Sequence, residues 1–239
     1  MEQWNGYNCE KFKFEDRDAI IVFPSVEPNG KLAIKTVYWG AFPDIEMRLL
    51  DKGFHLTYIQ NFSRFATPAD CDLRARFVKF IAQKYNLNPK CVPIGMSCGG
   101  AHAVNFAGYY PELVSCMFID APVLNFNDFP AKYSRTDFHN IWDHEFKAAY
   151  PGIERYKLMN FPHHPLCRTE TLIENRIPIL MVYGVEDATV TFSENGQLLQ
   201  EAMANTGLLT TIKVVGRGHH PHGKIDDNTE IVNWIIEHC

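Results

Sequence analysis

The sequence predicts an α/β fold: a mostly parallel central sheet with helices on both faces, in a single domain over residues 1–239 with a cap-like helical insertion at about 124–175. Three observations support this prediction. Short strands rich in β-branched and aromatic residues alternate with helices, as in βαβ units. The chain is 46% hydrophobic and 21% charged, which is typical of a globular protein with a sizeable core. One long segment interrupts the alternation and is rich in aromatic residues.

The predicted elements follow one another in a regular order. The first two strands, at 19–24 and 32–39, are separated by the turn-like sequence E-P-N-G, and we expect them to form an antiparallel edge. A helix at 44–52 has helical apolar spacing and ends before Gly53, a residue that favours helix termination. The remaining elements are strands at 54–59, 91–94, 113–119, 177–183 and 210–215, and helices at 69–85, 98–109, 197 to about 205, and 227–238.

The insertion has no clear strand between residues 121 and 175 but contains nine aromatic residues. These are Phe126, Phe129, Tyr133, Phe138, Trp142, Phe146, Tyr150, Tyr156 and Phe161. A structureless loop of this length is uncommon inside a compact domain, so we expect a helical cap over one end of the sheet. Most of these residues are expected to form the core of the cap itself, and Trp142 is a candidate for substrate contact.

Composition and charge exclude several classes of protein. The formal charge of −5 excludes a sequence-independent nucleic-acid binder, which needs clustered basic residues. No stretch reaches the ~18 uncharged apolar residues of a spanning helix, and the first residues lack the basic and apolar regions of a signal peptide. The seven cysteines form an odd set without a CxxC motif, which favours reduced thiols. We therefore expect a cytoplasmic protein without membrane or nucleic-acid partners, and its oligomeric state is left open.

The sequence G-M-S-C-G-G at 95–100 is the strongest indication of chemistry. It contains G-x-S-x-G directly after a predicted strand and before a predicted helix, the setting in which this motif forms a nucleophile elbow. Ser97 is then the nucleophile, and the alternative is an ordinary glycine-rich turn. Cys98 does not fit this role, because Met96 would then occupy the first glycine position. The backbone N–H of Cys98 is instead expected to donate to an oxyanion.

A serine at its ordinary pKa needs a base, and the base needs an acid to orient it. Asp187 follows the strand predicted at 177–183, and a histidine cluster follows the next strand. The intervals are 187 − 97 = 90 and 219 − 187 = 32 residues, enough for the insertion and then for one helix and one strand. The order serine, acid, histidine favours Asp187 as the acid. Glu186 and Asp120 remain alternatives, Asp120 because it also ends a predicted strand.

The sequence G-R-G-H-H-P-H at 216–222 supplies three candidate bases. His219 comes first after the G-x-G turn and is the predicted base, whereas His220 and His222 are expected to line the rim and contact substrate. A metal site of three histidines is the alternative. Their spacing suits neither a helix face nor a strand face, and no cysteine or carboxylate pair accompanies them. We therefore expect no metal.

A second oxyanion donor is expected from the loop after the strand predicted at 32–39, where the sequence reads Y-W-G-A-F-P. The Ala41 amide, or failing that the Gly40 amide, would then face the developing negative charge. Trp39 in the same turn is a candidate for substrate contact. The alternative is a plain connection between a strand and a helix.

With these motifs in place, the chain resembles the α/β-hydrolase superfamily over nearly its whole length. More closely, it is similar to a bacterial serine-hydrolase group related to the prolyl-oligopeptidase catalytic domain. The matching stretches are 38–41, 95–100, the D-A-P at 120–122, and 216–222. The resemblance implies an α/β-hydrolase fold in which Ser97, Asp187 and His219 are nucleophile, acid and base. It is specific for the catalytic residues and uninformative about the substrate.

Together these observations predict a serine hydrolase that cleaves a carboxylic ester of a small or medium substrate through an acyl-enzyme, without a cofactor. The first alternative is a peptidase of the prolyl-oligopeptidase type. We expect it to be limited to short peptides, because no further domain precedes the catalytic region in this sequence. The second alternative is a catalytically silent hydrolase fold that acts as a binding protein.

Overall fold

The structure is a computed structural model that describes residues 2–127 and 140–239, except for the side chains of Asn140, Trp142 and Asp143. This part of the chain contains nine strands: β1 (Glu2–Trp4), β2 (Tyr7–Phe14), β3 (Arg17–Val22), β4 (Leu32–Lys35), β5 (His55–Ile59), β6 (Cys91–Met96), β7 (Met117–Asp120), β8 (Ile179–Gly184) and β9 (Leu209–Val214). The α-helices are α1 (Asp44–Leu50), α2 (Pro68–Tyr85), α3 (Cys98–Tyr109), α4 (Lys147–Ala149), α5 (Thr169–Glu174), α6 (Gly196–Ala202) and α7 (Thr229–His238).

The described ranges also contain five other helical segments. A π-helix covers Asn140–Phe146 and leads into α4. Turns of 3₁₀-helix lie at Pro111–Leu113, Arg155–Asn160, Pro165–Arg168 and Phe192–Glu194. None of the helices in the described ranges combines the length and the apolarity that crossing a bilayer requires.

The strands form a single sheet in the order β1-β2-β3-β5-β4-β6-β7-β8-β9. Every pair from β5 through β4 to β9 is parallel, and β1, β2 and β3 add an antiparallel extension. The predicted mostly parallel sheet is therefore confirmed. Since the carboxyl ends of parallel strands meet at one edge, residues that follow β6, β8 and β9 are brought close together.

One prediction about the sheet is wrong: the strands now seen as β3 and β4 are not neighbours. β5 lies between them, with Ile20 of β3 paired to Tyr58 and Ala33 of β4 paired to Leu56. The cause is the connection through α1, which returns the chain parallel to β4 and fills that position. The antiparallel edge is instead made by the hairpin of β2 and β3, which the sequence analysis did not identify.

Two apolar layers cover the two faces of the sheet. Helices α2, α3, α5 and α6 pack on one face, where Phe77 and Val104 are fully buried. Helices α1 and α7 pack on the other, with Leu49 and Ile235 in the core. Successive residues of β4 alternate between the layers, Ala33 on one side and Ile34 on the other. Helices on both faces are therefore confirmed.

A third apolar cluster lies beside the carboxyl edge and involves the insertion. Four of its aromatic residues are buried there, in contact with Phe65 and Cys98. They are Phe126, Phe146, Tyr150 and Phe161. Tyr156 is exposed, and Phe129, Tyr133 and Phe138 lie outside the described residues. The buried four pack edge-to-face or tilted against one another and so form a local core.

Candidate active site

Ser97 occupies a sharp turn between β6 and α3. Its backbone has φ +54° and ψ −122°, a conformation that costs an L-residue roughly 1–3 kcal/mol. The surrounding chain holds it there: the Ser97 N–H donates to the Asp120 carbonyl at 2.9 Å, and the Val123 N–H donates to the Ser97 carbonyl at 3.0 Å. The strained turn therefore projects the serine side chain outwards from the carboxyl edge of the sheet.

Two glycines of the motif are required by close backbone approach. A Cβ on Gly95 would lie 2.2 Å from the Gly99 carbonyl oxygen, and a Cβ on Gly100 would lie 2.3 Å from the Pro122 side chain. Since real Cβ atoms do not approach so closely, only glycine lets α3 start this close to β6 and to the segment after β7. The G-x-S-x-G-G pattern is thus explained by contacts of the elbow.

Three of the predicted residues meet in one hydrogen-bonded series. His219 Nε2 lies 3.1 Å from Ser97 Oγ, and His219 Nδ1 lies 2.7 Å from Asp187 Oδ2. Ser97 follows β6, Asp187 follows β8 and His219 follows β9, so the parallel sheet delivers all three to the same edge. This is the arrangement that lets an imidazole remove the serine proton while a carboxylate fixes its tautomer.

Asp187 is buried and multiply hydrogen-bonded. Its Oδ1 accepts the backbone N–H groups of Thr189 and Val190, both at 2.8 Å, and Oδ2 faces His219. Burial opposes ionisation, but the hydrogen bonds from His219 and from these two amides outweigh it and lower the pKa of Asp187 below its ordinary value. The carboxylate is therefore ionised at neutral pH.

The two alternative acids lie elsewhere. Glu186 is exposed, and its Oε1 accepts the Gly216 N–H at 3.1 Å. Asp120 is fully buried and paired with Arg217, a residue the sequence analysis passed over.

His220 and His222 take different places around the cavity that contains Ser97. This cavity has a volume of about 280 Å³ and is lined by Tyr38, Ala41, Phe42, Met96, Ser97 and the three histidines. The His220 ring stacks on Phe42 at 5.5 Å, and His222 meets the same ring edge-on at 5.3 Å. Burial, and then the neighbouring imidazoles, lower the pKa of His220. His222 is buried, with Nδ1 3.6 Å from Asp120 Oδ1.

The Cys98 backbone N–H, which we expect to donate to an oxyanion, lies at the first position of α3. The first amides of a helix have no intrahelical partner and carry the positive end of the helix dipole, so this N–H can donate to a negative oxygen beside Ser97. The Cys98 thiol is buried in the third apolar cluster, and burial raises its pKa. The thiol thus stays protonated.

The prediction for Ala41 is wrong. Its N–H donates to the Tyr38 carbonyl at 3.0 Å and is turned back into its own loop. Tyr38, which the sequence analysis did not single out, has its side chain in the Ser97 cavity. Its hydroxyl interacts with the Cys98 thiol and the Arg64 guanidinium, and burial raises its pKa. A protonated hydroxyl therefore stands beside the Cys98 side chain.

The prediction for Trp39 is also wrong. The indole stacks between Trp4 and Tyr58, with ring centroids at 4.8 Å and 5.6 Å, and does not line the Ser97 cavity. The cause is the loop itself: Tyr38 points into the cavity, so its neighbour points to the other side. The side chain of Trp142 lies outside the described residues.

The histidine cluster does not form a metal site in the described ranges. Within them, no group of three or more histidine, cysteine or carboxylate side chains is arranged to hold an ion. The three imidazoles instead pack edge-to-face at 4.7–5.2 Å between ring centroids.

Comparison with known proteins identifies the fold. No family model and no curated protein matches the chain. Among solved structures, a puromycin-hydrolyzing peptidase from Mycobacterium tuberculosis aligns with TM-score 0.71 and 12% identity, over 90% of this chain and 36% of that one. Porphyromonas gingivalis dipeptidyl peptidase 4 aligns with TM-score 0.70 and 15% identity, over 99% of this chain and 36% of that one. Pyrococcus horikoshii acylaminoacyl peptidase aligns with TM-score 0.66 and 13% identity, over 89% of this chain and 37% of that one.

The chain thus spans just over a third of the length of these structures, and the likeness concerns their fold. The resemblance inferred from four short sequence motifs is confirmed at that level. The chain has the α/β-hydrolase fold found in these peptidases, with Ser97, His219 and Asp187 hydrogen-bonded in series at the carboxyl edge of its sheet.

Proposed function

We propose that the protein is a serine hydrolase that cleaves an acyl bond through an acyl-enzyme intermediate. The observation on which this rests is the series Ser97 Oγ to His219 Nε2 at 3.1 Å and His219 Nδ1 to Asp187 Oδ2 at 2.7 Å. A hydroxyl becomes an effective nucleophile when a neutral imidazole stands within hydrogen-bond distance and a carboxylate orients that imidazole.

In the proposed reaction, Ser97 Oγ attacks the substrate carbonyl carbon while its proton passes to His219 Nε2. The carbonyl oxygen becomes negative and accepts hydrogen bonds from the Cys98 N–H and the Tyr38 hydroxyl, which lies beside the Cys98 side chain. Collapse breaks the bond to the leaving group, which takes the proton from Nε2. Water, deprotonated by the same imidazole, then attacks the acyl-enzyme and releases the acid. Loss of one oxyanion donor costs roughly 100- to 1,000-fold in such reactions.

Short peptides or aminoacyl amides are the substrates we favour. The solved structures with this fold include an acylaminoacyl peptidase, a dipeptidyl peptidase and two puromycin-hydrolyzing enzymes, and three of these four are named as peptidases. Carboxylic esters of small or medium size are the second candidate, because the cavity of about 280 Å³ suits a small acyl group and an ester is the easier bond to cleave.

Two further expectations accompany the proposal. The insertion at about 124–175 would act as a cap over the substrate, with its buried aromatic residues holding it together. A cytoplasmic location is in keeping with the seven free cysteines. The partner of the protein would then be its small-molecule substrate.

A substrate panel tests the proposal directly. Aminoacyl and dipeptidyl p-nitroanilides are compared with p-nitrophenyl esters of increasing acyl length, using wild type and Ser97→Ala. We expect hydrolysis of the anilides that disappears in Ser97→Ala. Activity on esters alone would select the second candidate. If a fluorophosphonate probe failed to label the wild type, the chain would be a silent hydrolase fold and the proposal would be refuted.

A further inference from the structure

Lys35 and Glu46 form a buried ion pair that the proposed reaction does not use. Lys35 is the last residue of β4, and Glu46 lies in the first turn of α1. Both side chains are only 2% exposed. The ammonium group donates to the Glu46 carboxylate and also to the carbonyl oxygen of Ala41, with an Nζ–O distance of 2.7 Å. The Lys35 ammonium group thus connects the end of β4 to the loop that contains Ala41.

That loop, residues 38–42, has a backbone that needs to be held in place. Tyr38 has φ +56°, Gly40 has φ +86° and Phe42 has φ +47°, and two of these three are not glycine. Positive φ is unfavourable for residues that carry a Cβ. The hydrogen bond from the Ala41 N–H to the Tyr38 carbonyl closes the loop on itself but does not tie it to the sheet. The Lys35 ammonium supplies that link.

Stability alone does not account for the pair. Replacing a buried ion pair with apolar side chains of similar volume is often neutral or stabilising, because desolvating two charges is costly. The pair is also incompletely satisfied, since Glu46 Oε2 is buried without a hydrogen-bond partner. What apolar side chains would not provide is a donor to the Ala41 carbonyl.

We propose that Lys35 is a positioning residue of the active site. Acting through the Ala41 carbonyl, it holds the 38–42 loop so that Tyr38 and Phe42 face Ser97, both of them lining the Ser97 cavity. Glu46 neutralises the ammonium group and orients it. This inference rests on the proposed function, because it assigns the loop to stabilisation of the oxyanion.

The test uses a pair of matched variants. Lys35→Met with Glu46→Leu removes both charges and the donor to Ala41 while keeping the volume. Glu46→Asp is the control, because it keeps Lys35, its bond to Ala41 and a carboxylate counter-charge at position 46. If the Met/Leu variant does not fold, Lys35→Gln with Glu46→Gln replaces it, a neutral pair with a shorter donor. Melting temperature and circular dichroism verify the fold of each variant.

The first readout is hydrogen exchange, which requires no activity. We expect the Ala41 N–H to exchange at least about 10-fold faster in the Met/Leu variant than in wild type or Glu46→Asp, because its loop is no longer tied to the sheet. Amides of β6 and α3 should exchange at the wild-type rate. Equal exchange of Ala41 in all three proteins would overturn the proposal, whether or not the wild type is an enzyme.

The second readout separates positioning from a structural role. We expect kcat of the Met/Leu variant to fall roughly 10- to 100-fold with KM within about 3-fold, and the inhibition constant of a boronic acid to weaken by the same factor as kcat, because only the oxyanion contact is displaced. A folded variant with unchanged kcat, or with boronate affinity unchanged while kcat falls, would overturn the proposal. Failure of the wild type to react with a fluorophosphonate would instead refute the proposed function.

Discussion

Asp120 and Arg217 form a two-pronged ion pair with both side chains fully buried. Arg217 Nη1 donates to Asp120 Oδ2 at 2.8 Å, and Nη2 donates to Oδ1 at 2.6 Å. The Gly223 N–H donates to the same carboxylate, and Arg217 donates to the Gly223 carbonyl. The pair therefore fastens the start and the end of the loop that carries His219 to the end of β7. Asp120, which the sequence offered as an alternative to Asp187 for the catalytic acid, thus anchors the loop that carries His219.

This arrangement predicts that substitution of Asp187 lowers activity, whereas substitution of Asp120 lowers stability. Asp187→Asn should lower kcat by about 10⁴-fold with little change in stability, because an amide favours the wrong imidazole tautomer. Asp120→Asn should lower the free energy of unfolding by about 3–5 kcal/mol, because Arg217 is left buried without its counter-charge. Steady-state kinetics and urea unfolding measure the two effects. Full activity of Asp187→Asn would move the acid role away from that residue.

Ser97→Ala and Cys98→Ala should differ just as clearly. The first should lower kcat by roughly 10⁴-fold or more, since nucleophile and base act as a unit. The second should keep most of the activity, because only the backbone N–H of Cys98 takes part and its thiol is buried in the third apolar cluster. Labelling by a fluorophosphonate provides the measurement. Loss of labelling in Cys98→Ala, with labelling intact in Ser97→Ala, would contradict the assignment of the elbow.

Substitution of each of the three histidines by alanine should affect a different property of the protein. His219→Ala should abolish acylation, because no other ring reaches Ser97 Oγ at hydrogen-bond distance in the described structure. His220→Ala should raise KM and leave kcat nearly unchanged, since its ring lies on Phe42 at the cavity wall. His222→Ala should act mainly on stability, since its ring is buried beside Asp120. Pre-steady-state acylation rates of the three variants test these expectations. If His220→Ala were inactive and His219→Ala active, His220 would be the base.

His102 in α3 predicts a pH dependence of stability. It is fully buried, with Nδ1 3.1 Å from Arg74 Nη2 and Nε2 2.9 Å from the Ser63 carbonyl. Burial first, and the Arg74 charge second, hold its pKa well below the ordinary value. Its contribution to stability is thus present in full above the unfolded pKa of about 6.5, and is lost as the pH falls from there through the folded pKa.

Unfolding experiments in urea between about pH 7.5 and 5.5 test this expectation. The free energy of unfolding should decrease below about pH 6.5 by up to about 1.4 kcal/mol per pH unit for this residue. His102→Gln, which keeps polar contacts but does not titrate, should show a shallower decrease. Identical slopes for the two proteins would mean that His102 does not carry the effect.

The sequence was sufficient to predict which residues meet at the sheet edge, because each motif is local. A glycine-flanked serine between a strand and a helix, an acid after a later strand and a histidine after the next one are placed by the topology alone. Their approach to one edge follows once the sheet is parallel, whereas the choice of His219 among the three histidines depends on the loop after β9. This is why Ser97, Asp187 and His219 could be named together.

The errors have a different physical origin. Ala41 and Trp39 were misplaced because the 38–42 loop contains three residues at positive φ, and these decide which amide is free and which side chain points inwards. Sequence patterns do not show which residues of a loop adopt positive φ. Arg217 and Lys35 were missed because a buried charge is recognised only through its partner, and the partners Asp120 and Glu46 lie 97 and 11 residues away in the chain.

The two buried ion pairs also bear on how the protein responds to heat. Each fastens one loop of the site to the sheet, and releasing either loop would break a hydrogen bond from a buried cation to the Ala41 or the Gly223 carbonyl. Partial opening of either loop therefore leaves a cation inside the core without one of its hydrogen-bond acceptors. Thermal inactivation should coincide with loss of secondary structure rather than precede it, so the site and its scaffold form one cooperative unit.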